Sequence, residues 1–281
     1  MVAAAVAVAV VISGCGAATT VSQAVDPVAK AAETTSKVQG YKMSAAVTVN
    51  TAVGAVKTTM SGVMDRATRT GEMTSTESVA GHSFSMSERM SGLTIYMNAS
   101  SIPGLSQLTH GKQWLRMDMS RAFGSFGVGS LSTSSTDPSQ FVDYLRAVSD
   151  DTKEVGSDTV RGVATTRYHA IIDLRKYPDV VPASQRATAK RAISTLETVM
   201  GAHTMPMDVW IDRDKLVRRM SFTMGECVNN QKVSMNMTMD LFDYGPQQAT
   251  QMPPSAQTFD LTPLVAGSMQ NLKFGCSSSS A

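Results

Sequence analysis

The sequence predicts an α+β fold: a curved, mostly antiparallel β-sheet with helices covering its concave face. Three observations lead there. From Tyr41 onward apolar residues recur with a period of two, in stretches separated by turn residues. Helical spacing is confined to a few segments, three of which open on Asp-Pro or Val-Pro. The alternation is one-sided, as in antiparallel sheets with one wet face. A long one-sided sheet with few helices must curl around them to bury its apolar face.

Taken in order, Asp26-Pro27 opens a first helix with Asp at the N-cap and Pro at the first helical position. Val28, Ala31, Ala32 and Val38 form its apolar side, and Gly40 ends it. "YKMSAAVTVN" then sets Tyr41, Met43, Ala45, Val47 and Val49 on one face of a strand. "VKTTMSGVMD", "GEMTSTESVA", "HSFSMSERM" and "LTIYMNAS" continue an antiparallel meander. "KQWLRMDMS" is expected as a further strand, with Gln113, Leu115, Met117 and Met119 on one side and Trp114, Arg116 and Asp118 on the other.

The Gly- and Ser-rich segment 124–136 reads as a loop or lid within the domain. Asp137-Pro138 opens a second helix, with Phe141, Tyr144, Leu145 and Val148 at amphipathic spacing. "KEVGSDTVRG" and "VATTRYHAIIDL" form a hairpin through Arg161-Gly162. A helix from about Ala183 to Met200 follows Val181-Pro182 and closes at Gly201. "MPMDVWIDRD", "LVRRMSFTM" and "VSMNMTMDLFDYG" complete the domain, with a tight turn from Asp212 to Lys215.

The N-terminus carries a separate signal. Val2 to Ile12 contains only Val, Ala and Ile, too short for a spanning helix of about 20 residues. It suits the apolar region of an export signal, although no Lys or Arg precedes it. Ile12-Ser13-Gly14-Cys15 resembles the lipobox of bacterial lipoproteins. That resemblance implies cleavage before Cys15, acylation of its thiol with palmitate-type chains, and attachment to the outer face of the cell membrane after export. The expected organisation is a signal peptide at 1–14, a lipidated tether at 15–25, one domain at 26–265 and a disordered tail at 266–281. Besides Cys15 the chain has Cys227 and Cys276, which form either a disulfide or two unpaired thiols.

Composition narrows the functional classes. A net charge of +2 over 281 residues, with no basic run, gives no case for nucleic acid. His82, His110, His169 and His203 stand singly, without metal-ligand spacing. No Gly-x-Ser-x-Gly, Ser-x-x-Lys or His-Glu-x-x-His motif occurs, so neither an enzyme nor a cofactor is expected. Asp212 and Asp214 flank a turn, and Asp173 and Asp208 lie on strands without an evident partner.

The 20 methionines are more informative. Met235, Met237 and Met239 alternate with polar residues, as do Met117 and Met119, and as do Met207, Val209 and Ile211 after Met205. Phe84, Met86 and Met90 are expected to share a face of another strand. Such faces line either a cavity for a variable apolar ligand or an ordinary core, because Met adapts to irregular shapes but specifies packing poorly. Thioether sites for Cu(I) are a third possibility, but burial alone already explains the period, and no metal site is expected.

Three stretches carry a family resemblance: "VDYLRAVSD", "KEVGSDTVRGVATTRYHAIIDL" and "MPMDVWIDRDKLVRRMSFTM". With the lipobox and the helix-then-sheet order, the chain resembles the LolA/LolB-like superfamily and, within it, the LppX/LprG-type actinobacterial lipoproteins. The resemblance implies a half-barrel whose concave face holds acyl chains of a lipid or lipoglycan. It names no ligand motif at particular positions. The functional expectation is an envelope lipoprotein that binds or carries an apolar ligand. The alternative is a non-enzymatic interaction or sensor lipoprotein with a filled core.

Overall fold

Strand β1 (Gly40–Thr51) lies near the middle of a twelve-stranded curved, open sheet, although it is the first strand of the chain. On one side it pairs with β2 (Gly54–Asp65), followed by β3 (Thr70–Val79), β4 (His82–Ser91), β5 (Thr94–Asn98) and β6 (Trp114–Asp118). On the other it pairs with β11 (Gln231–Phe242), then β10 (Val217–Val228), β9 (Thr204–Asp212), β8 (Val163–Asp173) and β7 (Lys153–Val160). All these pairs are antiparallel; only β12 (Thr258–Asp260) runs parallel, on the free edge of β6. The computed structural model describes residues 26–51, 54–79, 81–98, 100, 109–122, 140–148, 152–200, 202–228 and 231–269. Cys15, the expected signal and tether, the 124–136 loop, Asp137-Pro138, Gly201 and Cys276 lie outside the described residues.

Helix α1 (Pro27–Thr35) is capped by the Asp26 carboxylate, which accepts from the Val28 and Ala29 amides at 2.8 and 3.1 Å. Its buried side is Val28, Ala31 and Ala32, as the sequence predicts. It stops at Thr35, short of Gly40, where the Ser36 hydroxyl donates to the Glu33 carbonyl and the Arg66 guanidinium from the β2–β3 turn donates to the carbonyls of Thr35 and Ser36. The second helix, α3 (described over Gln140–Tyr144), runs into a 3₁₀ turn at Leu145–Ala147 that buries Leu145 and Ala147. Met119 is not on a strand. It begins α2 (Met119–Ala122), whose first turn is held by Asp118 accepting from the Ser120 and Arg121 amides.

A short α4 (Tyr177–Val180) and the longer α5 (Arg186–Met200) complete the cover on this side, with Ala189, Ala192 and Ile193 buried and α5 packed on β10. Beyond the expected domain limit at 265, α6 (Thr262–Met269) continues from β12 and packs on β6 and α2. Arg161 and Gly162 both have positive φ, 50° and 80°, the geometry of a tight hairpin turn that follows strand twist.

Candidate functional site: the helix-facing side of the sheet

Register fixes which side chains share the helix-facing side. One row across the strands reads Tyr168, Val209, Met220, Met239, Ala45, Met60, Ser75 and Met86. The next reads Ala170, Met207, Phe222, Met237, Val47, Thr58, Glu77 and Phe84. Burial falls along both. Val209 and Met239 are at most 1% exposed, Met60 and Met86 are half-buried, and Phe84 is 39% exposed. The helices explain this gradient. α1, α4, α5 and the α3 segment gather over β8 to β10, while α2 and α6 sit on β6.

The expected ligand-lining residues therefore divide. Met207, Val209, Ile211, Met237 and Met239 lie in the main core, where Phe141 of α3 meets Phe222 with ring centroids 5.0 Å apart. Met235 is partly buried against that core. Met117 lies half-buried at the far end of the sheet, beside Ile95, and Met119 is on α2. Phe84, Met86 and Met90 do share a face. The Cys227 backbone pairs with Lys232 on the β10–β11 ladder.

Two polar groups on this face went unread in the sequence. Ser75 is buried, and its hydroxyl donates to a Glu88 carboxylate oxygen at 2.7 Å. Burial pushes the Glu88 carboxyl above its usual pKa, with the Ser75 hydrogen bond opposing. The signal was present in "HSFSMSERM", where Glu88 shares parity with Phe84, Met86 and Met90.

The opposite face is polar and braced. Trp210 faces away from the helices, as alternation predicts, yet it is only 7% exposed. No helix covers it. Arg167 and Arg219 lie over its ring, 5.0 and 5.8 Å from the centroid, and its indole N–H donates to Asp158 at 2.7 Å. Arg219 forks onto Asp240 at 2.5 and 2.8 Å. Asp208 accepts from Arg167 at 2.7 Å and contacts His169 at 2.9 Å, so its partners are now clear. Asp173 is held by Arg175. Beyond Arg219 and Asp240 a groove of about 390 Å³ is lined by Ser44, Thr59, Ser61, Thr74 and Thr76. Ala45, Ala46 and Met60 also contribute to a lining of mixed polarity. Among the described residues no three His, Cys, Asp or Glu side chains gather as a metal site, and no helix is long and apolar enough to cross a membrane.

No family model matches the chain. An uncharacterized 31.2 kDa protein of Streptomyces griseus, from the rplA–rplJ intergenic region, is 31% identical over 159 residues. That match takes in 54% of this chain and 49% of the relative, so the chain spans about half the length of the curated relative it matches. Among solved structures, LprF from Mycobacterium bovis aligns over 82% of this chain and 96% of its own, at 12% identity and a TM-score of 0.42. Mycobacterium tuberculosis lipoprotein LppX aligns over 80% and 96%, at 14% identity and a TM-score of 0.43. Both alignments run over nearly the full length of those two chains at low sequence identity.

Proposed function

We propose that this chain is an exported lipoprotein, held by acyl chains on Cys15, that binds a lipid or other apolar ligand on the helix-facing side of its sheet. One observation supports the reading above others. The helix-facing rows run on from the covered core to β2, β3 and β4, where Met60, Met86 and Phe84 are left partly exposed, with Thr58, Ser75 and Glu77 between them. Apolar surface of this kind gains about 0.8 kcal/mol for each ligand CH₂ it removes from water. Methionine suits it, since its unbranched thioether adapts to chains of different shape.

The cluster of buried side chains beneath α1, α3 and α5 fits a second reading, an interaction or sensor lipoprotein with no cargo. Native mass spectrometry of the purified protein, with organic extraction of anything it carries, separates the two. Carriage predicts a co-purifying apolar species that is reduced when Met86 is replaced by Asp; a bare protein mass and no extractable ligand favours the sensor. Attachment is tested separately. Cys15→Ser is expected to move the protein from membrane to soluble fractions, and unchanged detergent partitioning with an unchanged N-terminal mass overturns it.

A further inference from the structure

The helix-facing side of β1 to β6 carries two acidic side chains, Glu77 and Glu88, and no Lys or Arg. Its remaining titratable residues are His82, at the far end of β4, and Tyr41, which is buried. Glu88 shares a cross-strand row with Met73, Met97 and Leu115. Its hydrogen bond comes from Ser75, which itself stands between Met60 and Met86. Among the described residues no ion pair includes Glu88. A carboxyl group set among methionines without a cation lowers stability. A face shaped only for packing would carry Leu or Met at that position.

We propose that Ser75 and Glu88 form a head-group subsite on the apolar face. It takes amphiphiles whose head donates a hydrogen bond and carries no negative charge, such as the hydroxyl head of a monoacylglycerol. It rejects carboxylate and phosphate heads. The proposal rests on the lipid-binding reading above. The ligand's chain lies against Met60 and Met86, and its hydroxyl donates to the Glu88 carboxylate, whose lone pairs the Ser75 bond only partly uses. An anionic head meets like charge from Glu88 and Glu77, with no Lys or Arg on this side of the six strands to offset it.

The test is displacement of a fluorescent apolar dye from the purified full chain, by monoolein and by oleate at pH 8. The parent is expected to prefer monoolein by at least about tenfold, because like charges set close together disfavour the anionic head. Glu88→Gln keeps an acceptor for Ser75 and removes the charge, so it should narrow the preference to about threefold by gaining oleate. Glu77→Gln should narrow it by a smaller factor and serves as the second variant. A parent that prefers oleate overturns the subsite, as does an unchanged ratio in a Glu88→Gln protein that still binds both and melts cooperatively. Displacement by neither lipid from the parent fails the carrier reading itself, and is told apart by its occurring before any substitution.

Discussion

Trp210 is the residue whose role most changes between sequence and structure. Period-two alternation sends it away from the helices, a position where a tryptophan would ordinarily be exposed and cheap to truncate. The low cost does not follow, because Arg167 and Arg219 bury its ring and Asp158 takes its N–H. Trp210→Ala is therefore expected to cost about 3–5 kcal/mol, comparable with about 2–5 for Ile211→Ala on the core side. Urea unfolding of both variants checks this, and a Trp210 cost under 1 kcal/mol contradicts the brace. Thr35 is a quieter case. At the bulge between Val217 and Arg219, its hydroxyl accepts from the buried Val217 amide at 2.9 Å. Thr35→Val keeps the shape and orphans that amide, which should cost about 1–3 kcal/mol in the same measurement.

At the scale of elements, strands were legible because a buried face imposes a period of two that local sequence cannot hide. The β9 run from Met205 to Ile211 is such a case. Elements fixed by distant partners were not legible. The end of α1 is partly of this kind, since Arg66 reaches its last carbonyls from another turn. β12 has three residues, too few to show a period, and exists by parallel pairing with β6. α2 begins where Asp118 caps it, in a stretch whose methionines also fit a strand. The candidate site was legible only as a methionine pattern. Which methionines stay accessible depends on where the helices settle, and no periodicity records that. Gly62 is a feature of strand pairing that composition conceals. A Cβ there would meet the Glu72 carbonyl oxygen at 2.4 Å and the Met73 Cα at 2.9 Å. Gly62→Ala must push β2 from β3 and is expected to destabilise by about 1–3 kcal/mol, the cost typical of overpacking. An unchanged Tm for that variant would mean the strands separate freely.

Across the whole molecule, acid and base act on opposite faces. On the outer face, Asp158 is held below the usual range by Trp210, and Asp173 is lowered to about 2 by Arg175. Asp208 is lowered too, since its bonds with His169 and Arg167 outweigh burial. A depressed carboxylate contributes stability above its usual value of 3.8, lost as pH falls through the folded-state value. Glu88 has the reverse sign. With its folded pKa raised, the parent is favoured below the usual 4.5 and loses stability as pH rises through the folded value. Melting curves from pH 2 to 8 should therefore show Glu88→Gln gaining on the parent as pH climbs past 4.5, while both fall together in acid. A constant difference across that range would mean that Glu88 ionises as freely as in water.

The central position of β1 has a consequence in time. Each half of the sheet pairs strands that follow one another in the chain, β1 to β6 and β7 to β11, mostly through hairpins, with α4 and α5 between β8 and β9 and residues 99–113 between β5 and β6. The two meet along a single ladder, β1 with β11, where Lys42 reaches an Asp243 lying 201 residues further along the chain. Non-local strand pairing of this kind proceeds on the scale of about milliseconds to seconds. The halves thus have time to form before they join, and until β11 arrives the edge of β1 stays open, with the Met43 to Val49 side still uncovered by its partner strand. Joining the halves is what turns two hairpin stacks into one continuous surface.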